Sequence, residues 1–144
     1  MIKTITFGEK PVQFSTSFAW AHAFKNQFGQ DPMKILMPAI RKVFLVSDGN
    51  EAENDEQLMV QASIIFEELG LVGIEQIAWA SAWLCDKSIP DLITWIDSFG
   101  DDFEPFTLVT DLIIDLMSSC FTSKNLATPS PKEFKPETEE KKAK

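Results

Sequence analysis

The sequence of 144 residues is poor in the side chains that most enzymes use for chemistry. It holds one histidine, His22, and two cysteines, Cys85 and Cys120. Activation of a nucleophile by histidine also needs a nearby Ser or Cys and an orienting carboxylate, and the sequence places no such partners. One histidine and two distant cysteines do not supply the four ligands of a structural zinc site. We therefore expect a protein that is not an enzyme and that uses no metal and no cofactor.

Glycines and long apolar runs are also scarce. The six glycines are scattered at the ends of helical patterns, so the sequence has no glycine-rich phosphate loop. No apolar run approaches the ~20 residues that span a bilayer. The first residues lack the basic region and apolar stretch of a signal peptide. We expect a cytoplasmic protein with no membrane contact, in which both cysteines are buried free thiols.

The acidic stretch 48–56 is the best candidate for a cation site, and it fails the calcium-loop template. An EF-hand loop needs glycine at its sixth position and glutamate at its twelfth. Counted from Asp48, those positions hold Glu53 and Met59. Acidic residues in the first turn of a helix complement the helix dipole. We therefore interpret the stretch as the acidic start of a helix and not as a cation site.

Charge divides the chain into an acidic body and a lysine-rich end. The formal net charge is −9, and residues 122–144 hold six lysines and four glutamates. An acidic body repels the phosphates of nucleic acid, so we expect no nucleic-acid partner. The acidity either keeps the protein soluble or steers it towards a basic partner. Residues 122–144 also hold three prolines and few large apolar side chains. This composition predicts a disordered tail after a single domain over residues 1–121.

Hydrophobic periodicity predicts a mainly α fold with an N-terminal β-hairpin and a bundle of about five to six helices. Ile5, Phe7, Val12 and Phe14 alternate with polar residues around a turn formed by residues 8–11. Pro38 either kinks the second helix or begins a new one. Residues 88–91 resemble a capping box. The predicted helices cover residues 17–28, 32–44, 58–69 with a stop at Gly70, 74–87, 92–99 and 105–120.

Three tryptophans are the candidate partner-binding residues. Trp79 and Trp83 lie one turn apart on a helix that is apolar on nearly all sides, and Trp95 lies in the next helix. Tryptophan is enriched in binding hot spots. Large aromatic side chains also dominate protein cores, so core packing is the competing interpretation.

The beginning of the chain resembles a known family. Residues 2–10 (IKTITFGEK), 12–14 (VQF) and 18–20 (FAW) are similar to the opening of the tail assembly chaperones of long-tailed, siphovirus-type phages and prophages of Gram-positive bacteria. The similarity in residues covers roughly the first 30 positions. The layout of hairpin, helices and Lys/Glu-rich end is similar over the whole chain.

This resemblance implies a non-catalytic function in phage tail assembly. Family members bind the tape-measure protein, a long helical chain, and keep it soluble until tail-tube subunits polymerise around it. The expected partner is therefore the tape-measure protein, and the further candidates are the tail-tube protein and other copies of the chain. The alternative is a structural adaptor or tail-completion protein that stays in the phage particle. The resemblance carries no binding residues over to this sequence.

Overall fold

The fold is mainly α with an N-terminal β-hairpin, as the sequence predicts. A computed structural model describes residues 1–48 and 52–120, of which 69% are helical. The chain divides into one compact unit, Met1–Ile114, and a second that begins at Asp115. The predicted disordered tail, residues 122–144, lies outside the described residues, as does the predicted domain end at residue 121.

The hairpin consists of β1 (Ile2–Phe7) and β2 (Lys10–Ser15), paired antiparallel with Ile5 opposite Val12. The turn is only Gly8 and Glu9, so the predicted four-residue turn is too long. Gly8 has a φ of 64°, which suits the tight turns that connect twisted strands. The face of the hairpin with Ile5, Phe7 and Phe14 is buried.

Local capping signals set the ends of the first two helices. Helix α1 (Ala19–Phe28) ends at Gly29, which has a φ of 81°. Helix α2 (Pro32–Ser47) begins at Asp31, whose side chain accepts a hydrogen bond from the Met33 N–H at 3.0 Å. The helix continues through Pro38 without interruption, so no new helix begins at that residue.

Helix α3 (Asp55–Cys85) is the centre of the Met1–Ile114 unit, where α1, α2 and β2 pack on it. Gly70 has non-helical angles, with φ 73° and ψ 164°, and divides α3 into arms 55–69 and 71–85. The predicted stop at Gly70 is therefore confirmed, and the second arm begins three residues before the predicted Ile74. The second arm buries side chains on most of its circumference, including Ile74, Ile77 and Ala78.

Shorter helical segments complete the described chain. They are α4 (Leu92–Asp97), a 3-10 turn (Gly100–Asp102), α5 (Pro105–Leu108), a π-helical turn (Val109–Ile113) and α6 (Ile114–Ser119). The sequence predicts a single helix from Pro105, whereas the structure has two short α-helices with a π-helical turn between them.

Helix α3 is also the one helix among the described residues that is long and apolar enough to cross a membrane. A third of its most apolar window, 33%, is buried inside the protein. The sequence reasoning missed this property because it looked for uninterrupted apolar runs, whereas α3 carries scattered polar residues. This comparison uses only the length and the composition of α3. A core helix that other elements cover on several sides is equally long and apolar.

Candidate protein-binding surface

Two of the three candidate tryptophans stack on each other. The rings of Trp79 and Trp83 are nearly parallel, with centroids 6.2 Å apart. Phe28 contacts Trp79 edge-on with ring centroids 5.7 Å apart, and the Lys87 Nζ lies 4.8 Å from the centroid of Trp83. The Trp79 Nε1 donates a hydrogen bond to the Pro90 carbonyl at 2.8 Å. Trp79 is therefore packed and satisfied, and Trp83 is the half-buried member of the pair.

Trp95 belongs to a different aromatic cluster. Its ring contacts Phe14 edge-on at 6.4 Å and Phe99 at 5.3 Å between centroids. The cluster continues to Phe7 and Phe103, and it joins the hairpin to the segment after α4. Trp79 and Trp95 are 5% and 4% exposed. This burial is typical of core packing, and partner binding by these tryptophans stays a prediction.

A separate group of apolar side chains is exposed where α2 ends and α3 begins. Leu45 is 75% exposed, and the group consists of Phe44, Leu45, Val46, Met59 and Val60. The sequence pattern placed Phe44 in the buried stripe of α2, which is wrong. The residues that α2 buries are Pro32, Leu36, Ala39 and Ile40. We call the exposed group the α2–α3 surface.

The α2–α3 surface includes a depression with an acidic rim. Val46 and Val60 line a space of about 460 Å³, together with the carboxylate-bearing Asp48, Glu53 and Glu56. The other lining residues are Ser47, Asn54, Gln57 and Gln61, so no described lining residue is basic. The depression therefore combines apolar side chains with negative charge.

Hydrogen bonds at the start of α3 hold one side of this rim. The Asn54 Oδ1 accepts from the Gln57 N–H at 2.8 Å, and the Gln57 Oε1 accepts from the Glu53 N–H at 2.7 Å. These reciprocal bonds resemble a capping box, displaced by one residue. They fix the backbone that carries Glu53 and Glu56.

No family model, curated protein or solved structure matches this chain. Apolar side chains bordered by carboxylates suit a protein segment whose apolar residues are flanked by Lys or Arg.

The described residues that line the depression include no histidine and no cysteine. His22 is exposed on α1, and Cys85 and Cys120 are half-buried free thiols whose pKa burial raises. Within residues 1–48 and 52–120, no group of three His, Cys, Asp or Glu side chains is arranged to hold a metal ion.

The sequence contains a signal for the α2–α3 surface that our reasoning did not use. Residues 43–46 are four consecutive apolar residues, Val-Phe-Leu-Val, in a helix. Successive helical residues point about 100° apart, so four in a row face nearly all directions. They cannot all face α3, and at least one must be exposed or meet another molecule.

Proposed function

We propose that this chain is a non-catalytic tail assembly chaperone that binds helical segments of a tape-measure protein on the α2–α3 surface. Two observations support the proposal. The opening of the sequence resembles that family over roughly its first 30 residues. The observation that carries the binding mode is the exposure of Phe44, Leu45, Val46, Met59 and Val60, two of which, Val46 and Val60, line a depression with three carboxylates.

The physical basis is burial of apolar area. Apolar surface removed from water contributes roughly 25 cal/mol per Å². Val46 and Val60, which line the depression between the two helices, and the other exposed apolar side chains nearby offer docking area for the apolar face of an amphipathic helix. Helix-in-groove binding depends on apolar residues at helical spacing, so one surface can bind many different segments of a long helical chain.

The acidic rim adds a preference for basic segments and discourages self-association. Lys or Arg side chains beside the apolar face of the partner pair with Asp48, Glu53 and Glu56. Two copies of the chain that meet through this surface would place their carboxylates together, which costs free energy. The surface therefore favours a basic amphipathic partner over a second copy of itself.

Co-expression with the long helix-rich protein encoded downstream tests this function. We expect the tagged chain to keep that partner soluble and to co-elute with it. Leu45→Glu combined with Met59→Glu should abolish co-elution, because both side chains are more than half exposed and their replacement leaves the core intact. Ile93→Glu on α4 is the matched control, since Ile93 is 77% exposed and lies outside this surface.

An insoluble partner in the presence of the wild-type chain would contradict the chaperone function. Equal binding by the double variant and the wild type would instead contradict the assignment of the surface. Recovery of the chain in purified phage particles would favour the structural adaptor, since a chaperone leaves before the particle is complete.

A further inference from the structure

The two edges of the hairpin differ in the backbone groups that they offer. The Thr16 N–H donates to the Met1 carbonyl at 2.9 Å, which continues the strand register by one pair. Hydrogen-bonded and non-hydrogen-bonded pairs alternate along an antiparallel ladder. The odd-numbered residues of β1 therefore bond to β2, and Ile2, Thr4 and Thr6 direct their N–H and C=O groups to the outer edge.

The outer edge of β2 is blocked at both ends. Pro11 is paired opposite Thr6, so its nitrogen faces the outer edge, where it has no hydrogen to donate. The Ser15 carbonyl, which also faces outward, accepts a hydrogen bond from the Ser81 Oγ at 2.7 Å. A further strand added at β2 would lack one donor and one acceptor.

The outer edge of β1 has no proline among its outward-directed residues. Ile2, Thr4 and Thr6 are all exposed. Four of the six β1 residues are β-branched, and the strand contains no proline and no carboxylate. Proline and charged side chains are the usual means by which proteins blunt an open strand edge. Of these β1 has one, Lys3, whose side chain lies on the hairpin face that carries Ile5 and Phe7. Since the whole chain has a net charge of −9, two copies that meet through a strand without carboxylates repel each other less than copies that meet through acidic surfaces.

We propose that β1 pairs antiparallel with β1 of a second copy, about a two-fold axis through Thr4, to form a four-stranded sheet. In this register Thr4 lies opposite Thr4 of the second copy, and Ile2 lies opposite Thr6 of the second copy. Every outward N–H and C=O of β1 then finds a partner. Cross-strand threonine pairs add to the stability of such a sheet.

Neighbouring registers are less favourable. An axis through Lys3 would set two lysines directly opposite each other, and like charges in that position are destabilising. An axis through Ile5 leaves Met1 and Ile2 without β1 partners and shortens the ladder. The axis through Thr4 pairs all three outward-directed residues of β1 with β1 of the second copy and separates the lysines. This pairing does not depend on the α2–α3 surface or on its proposed partner.

Sedimentation of the purified full chain over a range of concentrations tests the pairing. We expect a reversible monomer–dimer equilibrium. Thr4→Pro removes an N–H that points away from β2, so it should weaken the dimer at least tenfold and leave the hairpin paired. Gln13→Pro is the matched control, because the Gln13 N–H also points outward but on the β2 edge. It should leave the dimer constant unchanged, with circular dichroism confirming the fold of both variants.

Disulfide trapping tests the register. In a Cys85→Ala, Cys120→Ala background, Thr4→Cys should form a dimer disulfide, since hydrogen-bonded partners have Cα atoms about 5.5 Å apart. Thr6→Cys should not, because four residues along the strand place its copies about 13 Å apart. A wild-type chain that stays monomeric would overturn the proposal. Equal dimerisation by Thr4→Pro, or equal trapping of both cysteine variants, would also overturn it.

Discussion

At the scale of single residues, Gly8 shows how a turn depends on a neighbour distant in sequence. Its φ of 64° is already unfavourable for other residues. A Cβ built on Gly8 would lie 2.6 Å from the Asp102 Cγ and would also overlap the Asp102 Oδ2. Substitution therefore introduces two separate penalties, one in the backbone and one from a steric clash.

We predict that Gly8→Ala lowers the free energy of unfolding by more than the ~1–2 kcal/mol of a left-handed alanine. Gly29→Ala is the control, because Gly29 has a φ of 81° but no atom within 4 Å of a built Cβ. The difference between the two variants in urea unfolding measures the clash. Asp102→Ala in the Gly8→Ala background should recover part of it. Equal losses for Gly8→Ala and Gly29→Ala would show that Asp102 moves away at no cost.

At the scale of elements, α3 depends on a break in its middle. Gly70 has a φ of 73° and a ψ of 164°, a region that essentially only glycine occupies. Nothing lies within 4 Å of a Cβ built there, so the only obstacle to another residue is the backbone. The break sets the directions of the two arms separately, and each arm buries its own face.

We predict that Gly70→Ala destabilises the protein by roughly 1–3 kcal/mol, the usual cost of a strained backbone. Gly73→Ala is the matched control in the same helix, because Gly73 is helical and its nearest contact to a built Cβ is an ordinary 3.5 Å. It should be neutral or stabilising by up to about 1 kcal/mol, since alanine favours helices. Thermal unfolding of both variants provides the measurement. A neutral Gly70→Ala would mean that the arms tolerate a continuous helix.

The ends of elements were predictable where one side chain caps a helix or one glycine interrupts it. Asp31 caps α2 and Gly70 interrupts α3, as the sequence indicates. The predicted capping box at residues 88–91 is wrong, because α4 begins after Asp91 and Ser88 bonds to Asp86 instead. Those bonds lower the pKa of Asp86. Ser88 could either cap the following helix or bond to the preceding Asp86, and the capping-box spacing does not distinguish the two.

The candidate surface was less predictable than the fold, because exposure depends on which helices meet. The predicted apolar stripe of α2 included Phe44, but the side of the helix that is buried carries Leu36, Ala39 and Ile40. Trp79 and Trp95 are buried for a similar reason, since Phe28 and Phe14 from distant segments cover them. Periodicity identifies an apolar face, and tertiary packing decides which part of it remains open.

At the scale of the whole molecule, negative charge should govern partner binding. The net charge is −9, and the described rim of the α2–α3 depression carries three carboxylates and no basic side chain. We predict that affinity for a basic amphipathic peptide falls as salt rises from 0.05 to 0.5 M, roughly severalfold, because the Debye length shortens from about 14 Å to about 4 Å.

Titration calorimetry at several salt concentrations measures this dependence. Glu53→Gln combined with Glu56→Gln should reduce the slope of log affinity against log salt, while Glu9→Gln in the hairpin turn should not. Affinity that does not change with salt would show that apolar contact alone holds the partner and that the rim plays no part.

The unequal edges of the hairpin determine how far the proposed pairing can extend. With Pro11 and the engaged Ser15 carbonyl on β2, only β1 is left to accept a strand. A sheet with one receptive edge per molecule closes after a single addition, whereas two receptive edges would permit endless stacking. The missing N–H of Pro11 and the occupied carbonyl of Ser15 would thus limit assembly to a dimer and prevent growth of a fibre.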